Sequence, residues 1–365
     1  IGDIMAYTTI DDPEAYFQAK IYTGNATDET AITLDGDTDM QPDLIWIKDR
    51  DAAQHNRVMD SVRGLKQILR SDYDDSDLGS FPFTAGSADG LHSIDSDGFT
   101  LTEDDSDWGF NGSGSKTVAW CWKAGGSGSS NTDGDINTTS TSVDQTSGVS
   151  ISTWTGTGSN ATVGHGLGAV PKFITTKATS HSYDWYTYHA SIGNTKNVYL
   201  NLTNAESGAS ANFHNNTDPT SSVWTAGGNI YNVDYTFVTY AFAEKQGFSK
   251  FGSYTGNGNA DGPFVYTGFR PAFVLLKNSE RAESWWLYDN KRDPHNLTSH
   301  ALRPDVATAE VNYTAGDAMN IDMLSNGFKV TSSDGAFNYS GETMIFMAFS
   351  EAPLVNSNGV PCNAR

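Results

Sequence analysis

Cysteine is nearly absent from this chain: Cys121 and Cys362 are the two thiols in 365 residues. Two thiols cannot build a disulfide framework. Cys121, inside the aromatic run Val118 to Trp122, is expected to pack as a small apolar side chain. Long hydrophobic runs are missing as well, and no stretch approaches the roughly 20 apolar residues of a membrane helix, so no membrane insertion is expected. Basic residues are scarce: 22 Lys and Arg against 44 Asp and Glu leave a formal net charge of −22. Nucleic-acid binding depends on Lys and Arg displacing counterions, so this acidity argues against DNA or RNA as a partner. The chain also lacks a Gly-rich phosphate loop, a zinc-spaced Cys/His set and a nucleophile elbow. His165, between Gly164 and Gly166, reads as a turn residue because a catalytic base needs a partner. No catalytic residue stands out, and the chain is not expected to be an enzyme.

What is present is a threefold repeat. An aromatic-Thr-Gly turn occurs at Tyr22-Thr23-Gly24, Trp154-Thr155-Gly156 and Tyr254-Thr255-Gly256. Each copy then runs from a Pro to a Lys six residues later: Pro42 to Lys48, Pro171 to Lys177 and Pro271 to Lys277. Twelve residues beyond each Lys stand Asp60, His189 and Asp289. The copies close alike, on Val118 to Trp122, Val238 to Phe242 and Ile345 to Phe349. A period of this length points to tandem domains rather than to the short mutually dependent repeats of a solenoid. The spacing divides the chain into 1–126 (repeat 1 with an N-terminal extension), 127–147, 148–247 (repeat 2), 248–354 (repeat 3) and a 355–365 tail. Units of this size can bury a core, so autonomous folding of each is expected. Segment 127–147, rich in Gly, Ser and Thr, reads as a linker or as an edge strand. The chain opens on Ile1 rather than Met, which leaves a removed leader and an internal start both open.

Short runs such as Leu44 to Lys48 and Phe273 to Lys277, bounded by Pro and polar turns, read as strands buried on both faces. Frequent Asp-Gly and Asn-Gly pairs among 36 glycines supply hairpin turns. The expected fold is all-β: three tandem β-sandwich domains of jelly-roll or concanavalin-like type, with little helix. Two stretches carry helical spacing, Val58 to Asp72 and, more weakly, Ala301 to Glu310.

Three sets of residues are candidates for chemistry. Asp60 with Arg63, and Asp289 with Arg292, share one spacing that repeat 2 replaces with His189 and Ile192; the pairs read as internal ion pairs fixing a turn, or as ligand-facing groups. Trp185 and Tyr186, with Trp285 and Trp286, lie on equivalent aromatic strands; they suit either core packing or stacking on a sugar. Asp35, Asp37 and Asp39 gather hard oxygen ligands in one loop as a candidate Ca²⁺ site, as do Asp72 to Asp77, Asp104 to Asp107 and Asp133 to Asp135. None completes an EF-hand, and no cofactor is required by any motif.

Longer motifs add a resemblance. Asp43-Leu44-Ile45-Trp46-Ile47-Lys48-Asp49-Arg50, Asp95-Ser96-Asp97-Gly98-Phe99-Thr100-Leu101, Ala119 to Gly126, Gly247 to Gly258 and Ser325 to Lys329 resemble a domain recurrent in structural and tail-fibre-like virion proteins of marine tailed bacteriophages. The resemblance covers nearly the whole chain. It implies a virion structural protein on the particle exterior, in a tail fibre or capsid-surface fibre. Other virion proteins are then expected partners, and because appendages gain reach and avidity through symmetry, so are further copies of the chain, as a homotrimer. Attachment to a host envelope glycan is the expected further role, with capsid or tail decoration as the alternative. A polysaccharide depolymerase is the remaining class, and it would need clustered carboxylates in a groove. The family has no established catalytic residues to carry over.

Overall fold

The computed structural model describes residues 6–76, 90–103, 109–313 and 319–362. It is all-β, and each repeat builds the same large antiparallel sheet from four matched strands. In repeat 1 these are an opening strand Phe17–Thr23, a closing strand Lys116–Trp122, a Lys strand Leu44–Asp49 and an Asp strand Arg57–Asp60, in that sheet order. Repeat 2 uses Val149–Thr155, Thr236–Ala243, Pro171–Ala178 and Tyr186–His189 in the same order. Repeat 3 uses Ser249–Thr255, Thr343–Pro353, Phe269–Asn278 and Trp286–Asp289. Register repeats too: Trp46 pairs with Trp120, Thr175 with Tyr240 and Leu275 with Met347. Within 127–147, Ser140–Asp144 pairs with the opening strand of repeat 2 and extends its sheet.

The recurrent Gly of the aromatic-Thr-Gly turn has a steric cause. A Cβ on Gly24, Gly156 or Gly256 would lie 2.3, 2.2 or 2.2 Å from a carbonyl oxygen of the loop that enters the closing strand. Only a residue without a side chain lets the two backbones come so close. The helical spacing of Val58 to Asp72 is not realised. Arg57–Asp60 and Leu69–Arg70 are strands that pair with each other, and Gly64, at φ +113°, turns the chain between them. Val58 and Leu69 thereby reach a core that a surface helix would not deliver them to. Ala301 to Glu310 is not helical either: His300–Ala301 is a short strand paired with Val311–Asn312.

Strand alternation sends each large sheet's side chains to two different cores. One face of repeat 1, with Ile45, Ile47, Ala119 and Cys121, packs on its own small sheet of Thr30–Thr33, Gly98–Leu101 and Leu91–Asp95. Repeats 2 and 3 have lobes of the same kind around Ile174 and Ala241, and around Val274 and Ala348. The opposite faces meet one another. Leu44, Trp46 and Trp120 of repeat 1, Phe173 and Tyr240 of repeat 2, and Phe273, Leu275 and Met347 of repeat 3 belong to one buried cluster. At its centre the equivalent rings of Trp122, Phe242 and Phe349 form a triangle with centroid separations of 6.4, 6.0 and 5.7 Å. A small apolar cavity of about 30 Å³ lies in this shared core, against Trp46, Trp122, Phe173, Tyr240 and Met347. The repeats therefore do not stand as three self-sufficient sandwiches. Each depends on the other two to cover the inner face of its large sheet, and separating one would expose that face to water.

Candidate functional site

The side chains singled out by the repeat lie along the seams of this three-part core. Asp60, fully buried, ends its strand and accepts the backbone N–H groups of Val62 (3.0 Å) and Arg63 (2.8 Å) on Oδ1. Arg63 Nε donates to its Oδ2 at 2.6 Å. Asp289 does the same in repeat 3, accepting from Lys291 N (3.1 Å), Arg292 N (2.9 Å) and Arg292 Nε (2.6 Å). Both pairs are thus internal ion pairs that fix a turn. In repeat 2 an imidazole takes over the capping role: His189 Nδ1 accepts Ser191 N–H at 3.1 Å, which leaves the ring hydrogen on Nε2.

Each of these capping groups also meets the neighbouring unit. Tyr240 of repeat 2 donates its hydroxyl to Asp60 of repeat 1 at 2.7 Å. Trp120 of repeat 1 donates its indole N–H to Asp289 of repeat 3 at 3.0 Å. His189 of repeat 2 donates from Nε2 to the Phe346 carbonyl of repeat 3 at 3.0 Å. Trp120, Tyr240 and Met347 are equivalent positions of the three closing strands, so the ring of contacts closes on itself. Where the unit offers a carboxylate, the facing closing strand brings a donor. Where it offers His189, the equivalent position is Met347, and the backbone accepts instead.

A second ring lies four residues earlier in each unit. Trp185 Nε1 of repeat 2 donates to Arg70 O of repeat 1, and Trp285 Nε1 of repeat 3 to Tyr199 O of repeat 2, both at 2.8 Å. Asn56 of repeat 1 donates to Arg303 O and Val306 O of repeat 3, both at 3.2 Å. The recurrent lysines complete the pattern. Lys177 Nζ reaches Asp74 O across one seam at 3.2 Å, and Lys277 Nζ reaches Thr203 O across the next at 3.0 Å. Lys48 Nζ bonds Asp49 O at 2.6 Å and Ala52 O at 3.2 Å. Burial pushes the Lys48 and Lys277 ammoniums down to about 8, against the pull of nearby carboxylates.

One seam carries an ionic strap. Glu310 of repeat 3 receives Arg50 of repeat 1 on both oxygens, at 2.9 and 2.8 Å, and Arg292 at 2.8 Å. Burial opposes ionisation of Glu310, but these guanidiniums outweigh it and hold the carboxyl below its ordinary value. Burial opposes the Arg292 charge as well, and Asp289 and Glu310 more than offset it.

Trp185, Trp285 and Trp286 are buried and Tyr186 is half-buried, so none of the three indoles presents an open face for stacking on a sugar. Asp35, Asp37 and Asp39 are exposed and do not converge on a cation site. Asp35 instead pairs with Lys20. Among the described residues, the group of His, Asp and Glu ligand atoms lying within 4.8 Å of one another is Asp28, Glu29 and His92, all exposed. Asp104 to Asp107 and Asp77 lie outside the described residues. His165 is a buried turn residue, its Nδ1 accepting Leu167 N–H at 3.1 Å. Cys121 is free and buried, and burial pushes its thiol well up; Cys362 is free and exposed.

The sequence landmarks bring out Asp60, Asp289, His189, Trp185 and Trp285, donors as well as acceptors of the seams, and leave out three other seam residues. Trp120, Tyr240 and Glu310 belong to the same constellation. The signal for the first two was the alignment of the closing strands, where Met347 replaces a polar group in the copy that faces His189.

Comparison with curated proteins and with solved structures finds no match. A family model matches residues 12–353, a span that takes in all three repeats and their common core as one domain. The chain belongs to that family, DUF7483, a domain of unknown function.

Proposed function

We propose that the chain is a non-enzymatic structural protein of a tailed-bacteriophage virion, standing on the particle exterior in a tail fibre or capsid-surface fibre. One observation carries the reading: the polar side chains that recur between repeats face one another across the seams and tie three lobes into one body. Repetition of this kind serves rigidity, which an external appendage needs, and leaves the outer lobes to differ. The virion setting is drawn from the long motifs that resemble phage structural proteins. Further copies of the chain, as a homotrimer, and other virion proteins are the proposed partners, and attachment to host envelope glycans is the proposed second role.

Immunogold imaging of purified particles of the encoding phage tests this. Gold on the tail or on the capsid exterior is expected. Unlabelled particles, with the protein found only in the lysate of infected cells, would overturn it.

A further inference from the structure

Repeat 3 carries a feature that repeat 2 fills in. Trp286 and Tyr186 are equivalent positions, each three residues before the seam residue. Around Tyr186, the rings of Tyr199, Phe213 and Tyr231 close in at 5.6, 5.9 and 6.1 Å. Beside Trp286 there is instead an open cavity of about 570 Å³, a size typical of small-ligand sites. Trp286 and Tyr313 form an aromatic corner of this cavity, with centroids 5.9 Å apart and planes at 66°. Glu283, Asn312 and Asp334 supply its polar lining.

Those polar groups have capacity to spare. The Glu283 carboxylate takes no hydrogen bond among the described residues, and Asp334 uses one oxygen, which accepts Ala336 N–H at 2.8 Å. Asn312 uses its carbonyl oxygen, which accepts the Ser299 hydroxyl at 3.0 Å. Trp286 is 6% exposed, and its indole N–H is buried without a partner among the described residues, an arrangement that costs free energy unless something accepts from it.

We propose that this cavity binds one neutral sugar residue of a glycan. The half-buried Tyr313 ring, beside the buried Trp286, gives a pyranose a face to rest on, and carboxylate and amide groups in the same lining hold hydroxyls. Two carboxylates in the lining, on a chain of net charge −22, repel anionic sugars. An organic cation is disfavoured because the Arg303 guanidinium already lies 5.6 Å from the Trp286 ring. The inference rests on the glycan-attachment role and assigns it to repeat 3.

The test uses the full chain with the methyl glycosides of glucose, galactose, mannose and N-acetylglucosamine as probes, and glucuronate and choline as charged comparators. Saturation-transfer NMR and tryptophan fluorescence are expected to report saturable binding of at least one neutral glycoside. Tyr313→Ala and Glu283→Gln should each weaken it about tenfold, the equivalent of one lost hydrogen bond or ring contact. Tyr73→Ala, an exposed aromatic on repeat 1, should leave it unchanged. If Tyr313→Ala does not fold, Glu283→Gln alone decides, since it changes a single half-exposed carboxylate. No saturable binding by any neutral glycoside, binding that ignores both cavity variants, or preference for glucuronate or choline overturns the assignment. Gold on the particle exterior together with any of these results overturns the cavity assignment and leaves the structural reading standing.

Discussion

Two of the three seams meet at a carboxylate and the third meets at an imidazole. At Asp60 and Asp289 the neighbouring closing strand brings a hydroxyl or an indole N–H, while at His189 the direction of donation reverses and a backbone carbonyl accepts. The same fold, register and turn geometry tolerate both arrangements. What is held constant is that each capping group finds a hydrogen-bond partner across its seam, because an orphaned one costs about 1–3 kcal/mol. Charge is optional, provided that donor and acceptor change places across the seam together.

This comparison predicts unequal costs for removing the acceptor. Asp289→Ala leaves the Arg292 guanidinium, whose side chain is fully buried, with Glu310 as its one carboxylate, and strands the Trp120 indole N–H. The expected loss is about 3–5 kcal/mol in chemical denaturation. His189→Ala strands one carbonyl and one amide, and should cost about 1–3 kcal/mol. Equal losses at the two sites would mean that the buried charge makes no difference.

The imidazole seam should also be the acid-sensitive one. Burial pushes His189 down to about 4, against its hydrogen bond to Phe346 O, so it is neutral at pH 7. The folded value lies below the ordinary one of about 6.5, so the unfolded chain binds the extra proton first. Stability is therefore full above pH 6.5 and is lost as pH falls toward 4, by about 3 kcal/mol from this group. The difference between the native protein and His189→Gln isolates the contribution, because glutamine can donate across the seam without titrating. Parallel stability curves for the two proteins would refute it.

Much of this architecture is legible in the sequence. The Pro-to-Lys and aromatic-Thr-Gly landmarks mark matched strands and turns, and the shared Asp/Arg spacing marks a turn-fixing ion pair. The seam is harder to read, since Trp120 and Tyr240 lie 169 and 180 residues from the carboxylates they serve. Aromatic alternation at Trp185 and Trp285 is equally uninformative about which face is open, because both faces of each large sheet are covered. Lobe and axis use the same period of two, and only the closed ring of three sheets shows that the second face is interior. The Val58 to Asp72 pattern misleads for a related reason: its apolar spacing serves two short strands facing the axis rather than one helical stripe.

The smallest expected effect probes the link itself. Tyr240→Phe keeps the ring in the shared core and removes the hydroxyl that reaches Asp60, whose carboxylate keeps Arg63 and two backbone amides. Burial holds the Tyr240 phenol well above its ordinary value, so it remains a donor across the working pH range. With Asp60 still satisfied by its other donors, the loss should lie at the low end for a hydrogen bond to a charged acceptor, about 1.5 kcal/mol. A double-mutant cycle with Asp60→Ala separates this link from the turn that Asp60 fixes within its own unit. Coupling of about 1 kcal/mol or more is expected, because removing the acceptor removes what the hydroxyl acts on. Additive losses would show that the turn and the seam are independent, and that the ring of polar contacts accompanies the three-part core without locking it.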